Sequence, residues 1–222
     1  MKIALVGAAP SSRMQAPFKD ASYEIWVCSP GNYDMPRIDA WFELHSLDRK
    51  WVPGNEPYIN VISKHPRVYI AVPDQRLPYG IVYPKDEMVA TYGPWFFSSS
   101  VAWMFALALK QRPTDIGLWG IDMAATDEYE YQRPGLHFFI REAEKLGINV
   151  SAPVESDILE PHPLYGYKEQ WPMYWKQRAR AKEIQDRISS CKKKEDLART
   201  ERMMLEGSMQ DLNYTNNTWL KP

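Results

Sequence analysis

Ile3-Ala4-Leu5-Val6-Gly7-Ala8-Ala9-Pro10-Ser11-Ser12 is the stretch on which the fold turns. A short apolar run closed by glycine reads as a buried parallel strand followed by a bendable loop. Gly7 allows close backbone approach, and the serines suit an anion or the start of a helix. The loop is neither a GxGxxG fingerprint nor a Walker A motif, because no lysine stands at the required place.

Working outward, Glu24–Cys28 reads as a second strand, Ala40–Leu44 as a third ending at His45, and Arg67–Val72 as a fourth. Residues 48–66 and 73–95, rich in Pro, Tyr and Gly, read as long loops, with Ile81–Pro84 as a short edge strand. Ser98–Lys110 is a helix that is apolar nearly all round and is therefore expected to be deeply buried. Asp115–Ile121 is a strand, Leu136–Leu146 a helix closed by Gly147, and Ile148–Ala152 a last strand. This alternation predicts an α/β, Rossmann-like, mostly parallel sheet with helices on both faces.

The chain has 222 residues, 45% of them hydrophobic, which is enough for a substantial core and excludes global disorder. Its net charge of −1 argues against general nucleic-acid binding. The charge is uneven. Residues 1–167 carry a net −5 and residues 168–222 a net +4, which marks a domain boundary near 167. Cys28 and Cys191 form no metal-binding pattern and read as free thiols in a reducing compartment. No signal peptide and no membrane span are read, so a cytoplasmic protein is expected.

In the tail, Trp171, Tyr174, Arg178, Ala181, Ile184, Ile188 and Cys191 recur at spacings of three and four, and Leu197, Met204, Leu205, Met209 and Leu212 continue the apolar pattern in a second helix. The polar stretch Ser189–Glu195 between them reads as a break. The expectation is an antiparallel helical hairpin over 168–215 that packs on its own body or on another subunit, with homo-oligomerisation through it.

The site candidates gather at the loops. Ser98, Ser99 and Ser100 open a buried helix whose terminal amides favour an anion, although one serine suffices for a cap. Asp122 ends a strand, where an acid can bind a ribose hydroxyl or hold a turn. Residues 127–135 read as a polar aromatic loop on the same edge. There Arg133 suits a phosphate, and Tyr129 or Tyr131 suits a base or a leaving group. His45 is the best-placed imidazole for proton transfer. No clustered acids suggest a metal, and no cofactor is expected.

Taken in order, Val6-Gly7-Ala8-Ala9-Pro10-Ser11, Trp26-Val27-Cys28-Ser29, Ser98-Ser99-Ser100, Gly120-Ile121-Asp122 and Pro153–Leu159 resemble the bacterial sialyltransferases that use CMP-sialic acid. They are also similar to the related Rossmann-like proteins of the motility-accessory type. A compact, aromatic-rich chain with a helical tail resembles bacteriophage proteins as well. The sialyltransferase resemblance implies a CMP-type nucleotide-sugar donor held by Gly7, Ala8, Pro10, Ser11, Ser29, Asn32, Ser98, Ser99, Ser100, Asp122 and Gln132. It also implies transfer chemistry served by Tyr129, Tyr131 and Arg133. The departures matter. Ala8 and Ser29 stand where the family has Asn, and Ser100 where it has Gly. The family's catalytic histidine has no counterpart in residues 129–133: either His45 or His137 substitutes, or the chain binds a nucleotide without this chemistry.

Three readings follow: a nucleotide-sugar-dependent glycosyltransferase with His45 as base, a nucleotide-binding module that assembles through its tail, and an interaction protein with no small ligand.

Overall fold

A computed structural model of the chain describes residues 1–28, 34–47, 56–123, 128–160 and 172–219. It divides into two compact units, Met1–Pro161 and His162–Pro222. The first is a doubly wound α/β domain. Its elements run β1 (Lys2–Val6), β2 (Tyr23–Cys28), β3 (Ala40–Glu43), α1 (Glu56–Ile62), β4 (Val68–Ile70), β5 (Ile81–Val82), α2 (Lys85–Tyr92), α3 (Ser100–Lys110), β6 (Asp115–Trp119), α4 (Arg133–Lys145) and β7 (Asn149–Ser151).

The seven strands order as β5-β4-β3-β2-β1-β6-β7, and every pairing is parallel. β1 lies between β2 and β6, with Val6 in register with Val27 on one side and Trp119 on the other. From β1 the chain winds outward through β2 to β5, then returns to place β6 on the opposite side. The topological switch point therefore falls between β1 and β6, at their carboxyl ends.

Strand alternation explains the two cores. Ile3, Leu5, Trp26, Cys28, Ala40 and Phe42 face one side and pack with α3 and α4. Ala4, Val6, Ile25, Val27 and Trp41 face the other, where α1 adds Tyr58 and Ile62. α3 buries Val101, Ala102 and every residue from Met104 to Leu109, which is why it has no polar face.

Several expectations are corrected. α1 and α2 lie inside stretches read as loops. α1 is only seven residues long, with Pro57 in its first turn, and shows little more than Tyr58 and Ile62 as an apolar stripe. α2 buries Met88 alone, so periodicity could not reveal it. Residues 128–132, read as loop, form a π-helical turn that runs directly into α4.

Among the described residues the second unit shows no hairpin. α5 is one helix of 47 residues, Pro172–Thr218. The polar stretch at 189–195 contains neither Gly nor Pro, and lysine and glutamate are good helix formers. Ser189 donates its hydroxyl back to the Gln185 carbonyl at 2.9 Å, so the polar residues continue the helix instead of turning it. Among the described residues no helix is long and apolar enough to cross a membrane.

Candidate site at the carboxyl edge of the sheet

The β1 and β6 loops are joined backbone to backbone. The Gly7 amide donates to the Trp119 carbonyl at 2.8 Å, and the Ala9 amide to the Gly120 carbonyl at 2.9 Å. A Cβ at Gly7 would lie 2.4 Å from the Gly120 oxygen. Gly120 has φ +62°, and its own Cβ would lie 2.7 Å from the Gly7 oxygen. Both positions therefore require glycine, one for space and one for space and conformation.

Side chains complete the join. Ser12, almost fully buried, accepts from the Gly120 amide at 2.9 Å. Ser11 donates to Asp122 Oδ1 at 2.8 Å. Met123, the next residue, has φ +46°, a strained setting for a non-glycine residue beside a candidate site. The strap after β7 lies on the same edge: Ser156 donates to the Ile121 carbonyl at 2.9 Å, and Gln15 reaches Glu155 at 3.2 Å.

The serine triplet divides its labour. Ser99 is the N-cap of α3, accepting from the Ala102 amide at 3.1 Å. Ser98 is exposed, and its oxygen would lie 2.5 Å from a Cβ at Gly135 in the first turn of α4. That glycine lets the two helix starts meet. Helices that return between parallel strands begin at the carboxyl edge, so α3 aims its N-terminal amides, the positive end of its dipole, at this edge.

The end of β3 carries a second cluster. Glu43 is 1% exposed, an unusual place for a carboxylate. It accepts from the Tyr58 hydroxyl at 2.5 Å, from the His45 amide at 3.1 Å, and faces His45 Nδ1 at 3.1 Å. A carboxylate on Nδ1 holds that nitrogen in its N–H form and leaves Nε2 as the basic atom. The His45 side chain is 27% exposed, so the ring reaches solvent while its partner is sealed. β3 lies two strands from β1, about 10 Å across the edge. Neighbouring Cys28 is buried. That burial, aided by the Glu43 charge, pushes its thiol up to about 12 and makes it unreactive.

The other described histidines are structural. His65 Nε2 donates to the Ile38 carbonyl at 2.9 Å, and the Arg67 amide donates to Nδ1 at 3.2 Å. His137 Nε2 donates to the Ile158 carbonyl at 2.8 Å. Arg133 is buried and pairs with Asp157 at 2.6 Å, adding a bond to the Asp157 carbonyl, so this cation ties α4 to the strap. Tyr131 stands exposed on the π-helical turn. Ser29 and Asn32 lie outside the described residues, as does the side chain of Tyr129. Gly7, Ala8, Pro10, Ser11, Asp122 and the Ser98–Ser100 helix start share the carboxyl edge. Gln132 ends the π-helical turn.

Glu43 is the residue missed in the sequence. The signal was there: one acid closing an otherwise apolar strand, Ala40-Trp41-Phe42-Glu43. Among the described residues no group of three His, Cys, Asp or Glu side chains is placed to hold a metal.

No family model matches the chain, and no curated protein matches it significantly. Solved structures that resemble it remotely include two. One is the sialyltransferase CstII from Campylobacter jejuni, solved with the substrate analogue cytidine-5'-monophosphate. It is 16% identical, with a TM-score of 0.45 over 68% of this chain and 78% of that one. The other is thiamine pyrophosphokinase from Bacillus subtilis, 14% identical, with a TM-score of 0.45 over 69% of this chain and 60% of that one. At these values neither neighbour lends its activity to this chain, which is placed by its own topology as an α/β, Rossmann-like protein.

Proposed function

We propose that the sheet domain binds a nucleotide at the β1–β6 switch point and acts as a glycosyltransferase-like protein with a CMP-type sugar donor. The observation that carries this reading is the edge itself. Two mutually close glycines, the Ser11–Asp122 bond and the start of α3 meet at one end of the sheet, and the His45–Glu43 dyad stands about 10 Å away. The first group suits a phosphate and ribose, and the second suits the reacting sugar.

In this reading His45 Nε2 takes the proton of the acceptor hydroxyl. The acceptor oxygen bonds to the anomeric carbon as that carbon's bond to the phosphate oxygen breaks, and the nucleotide leaves with the electron pair. Charge growing on the phosphate is met by the α3 amides and by the exposed Tyr131 hydroxyl. Arg133 holds Asp157 and serves the site by fixing the strap. Glu43 orients the His45 ring and stabilises it once protonated.

One observation favours a second reading, a nucleotide binder without turnover. Asp122 and Arg133, two charged groups at the edge, are already engaged by Ser11 and Asp157. The test is a thermal-shift panel with CMP, UDP, GDP, ADP and their sugar conjugates, followed by donor turnover with and without His45→Ala. Ligand bound only by the folded state raises its melting point by mass action. A shift with CMP ligands and turnover lost in the variant supports transfer. A shift with no turnover in the unaltered protein leaves the binding module. No shift with any nucleotide removes both.

A further inference from the structure

α5 carries a charge pattern that opposes its own dipole. Residues 177–194 hold seven basic and two acidic side chains, whereas residues 195–218 hold two basic and five acidic ones. An isolated helix favours the reverse, acids near the N-terminus and bases near the C-terminus. An antiparallel neighbour of the same sequence removes the conflict by laying basic half on acidic half.

The apolar pattern fits the same neighbour. A seven-residue repeat places Ile184, Cys191, Ala198, Leu205 and Leu212 at one seam position, and Ala181, Ile188, Glu195, Arg202 and Met209 at the other, so two charged residues interrupt the second row, each facing a small residue, Ala198 or Cys191, in the antiparallel register below. The seam is exposed along the described helix, with Ile188 at 54%, Leu205 at 64% and Met209 at 59%. Leu197 and Met204 lie off the seam and belong to no longer stripe.

A parallel, in-register pair is penalised throughout. It sets Glu195 on Glu195 and Arg202 on Arg202 in the seam. On its flanks it sets Arg187 against Lys192, Lys194 against Arg199, and Glu201 against Glu206. In an antiparallel pair, one register sets Ile188 against Leu205 and Ile184 against Met209 of the second copy, with Lys194 beside its Glu201. Slipping by one heptad in either direction puts Glu201 on Glu201 or Lys194 on Lys194. The favoured register has one like-charged contact, Lys192 with Arg199, at the solvent edge where salt screens it. It overlaps nearly the whole helix and engages roughly 25 residues a side, within the size of a stable interface.

We infer that α5 pairs with α5 of a second copy of this chain as an antiparallel two-stranded coiled coil, centred between Glu195 and Ala198. The inference is independent of what the sheet domain binds.

The test uses the full chain. Sedimentation equilibrium should show a monomer–dimer system, and a chain that stays monomeric at high micromolar concentration overturns the proposal. Orientation is read by mild oxidation of Arg202→Cys with peptide mapping. The antiparallel register expects a link from Cys191 of one copy to the new thiol of the other, positions too far apart on one helix to join. Links only between Cys191 and Cys191 would mean a parallel pair and overturn it. Glu201→Lys should weaken dimerisation roughly ten-fold at low salt, and adding Lys194→Glu should restore it to within about three-fold. Failure of the double variant to recover overturns the register.

Discussion

On α3, every residue from Met104 to Leu109 is buried against the sheet and α4. On α5, Leu197 and Met204 are each 70% exposed, and only isolated residues of the described helix escape full exposure. α3 is apolar all round and has a cap, a strand that follows it closely in sequence and a core to enter. α5 is longer and more polar, and its ladder of ion pairs, such as Arg180–Glu183, holds a helix but fills no core. A helix that buries itself within its own domain is specified by hydrophobicity. A helix whose apolar seam stays open is specified by charge order, because charge selects which partner closes the seam and in which direction.

The largest test of this contrast is deletion of buried volume. Phe105→Ala, at a site with no exposure, should destabilise the sheet domain by about 3–5 kcal/mol in denaturant melts. Leu197→Ala on α5 should change the same transition by less than about 0.5 kcal/mol. Similar losses at both sites would erase the distinction.

Alkaline pH comes next. The Cys28 thiol ionises near 9.0 when unfolded and near about 12 when folded. Below 9.0 both states keep the proton and nothing is lost. Between the two values the unfolded chain sheds it while the folded one cannot. Stability should thus fall with rising pH at about 1.4 kcal/mol per unit, roughly 4 kcal/mol in all. Tyr83, raised mainly by burial, adds to the fall from about 10.0 upward. Cys28→Ala should flatten the first part of the slope, and Cys191→Ala, at an exposed position on α5, should leave it intact.

Glycines sharpen the comparison further. Gly7→Ala drives a methyl group against the Gly120 carbonyl and should cost roughly 1–3 kcal/mol, together with any nucleotide-induced shift. Gly207→Ala on α5 meets nothing within 4 Å and should instead favour the helix by about 0.5–1 kcal/mol, read by circular dichroism. The smallest contrast lies within one triplet. Ser99→Ala should cost about 1 kcal/mol through the lost cap, and Ser100→Ala close to nothing.

How much was legible follows from the physics. β1, β2, β3 and α3 stood out because strands and helices buried on all sides must be apolar throughout. α1 and α2 were lost because short helices against one face need only one or two buried residues, Tyr58 with Ile62 or Met88 alone. The π-helical turn at 128–132 was hidden by a polar, aromatic composition that reads as loop. At the site, His45 and Asp122 were visible as residue types at strand ends. Glu43 was passed over, and Ser11 was read as a donor contact and not as the partner of Asp122, because pairing depends on which side chains the fold brings within hydrogen-bond reach.

By itself, then, the amino-acid order determined a parallel α/β sheet, the apolar helix that fills it, the loop glycine at Gly7 and a basic, helical tail, since these depend on local periodicity, charge and backbone freedom. Tertiary structure alone decided four things: that β6 inserts beside β1 to make the switch point, that Gly120 must meet Gly7, that a sealed Glu43 stands behind His45, and that Arg133 spends its charge on Asp157. Each of these joins residues far apart in the chain or turned toward one another by the fold, and their energies arise only where folding excludes water and sets the distance.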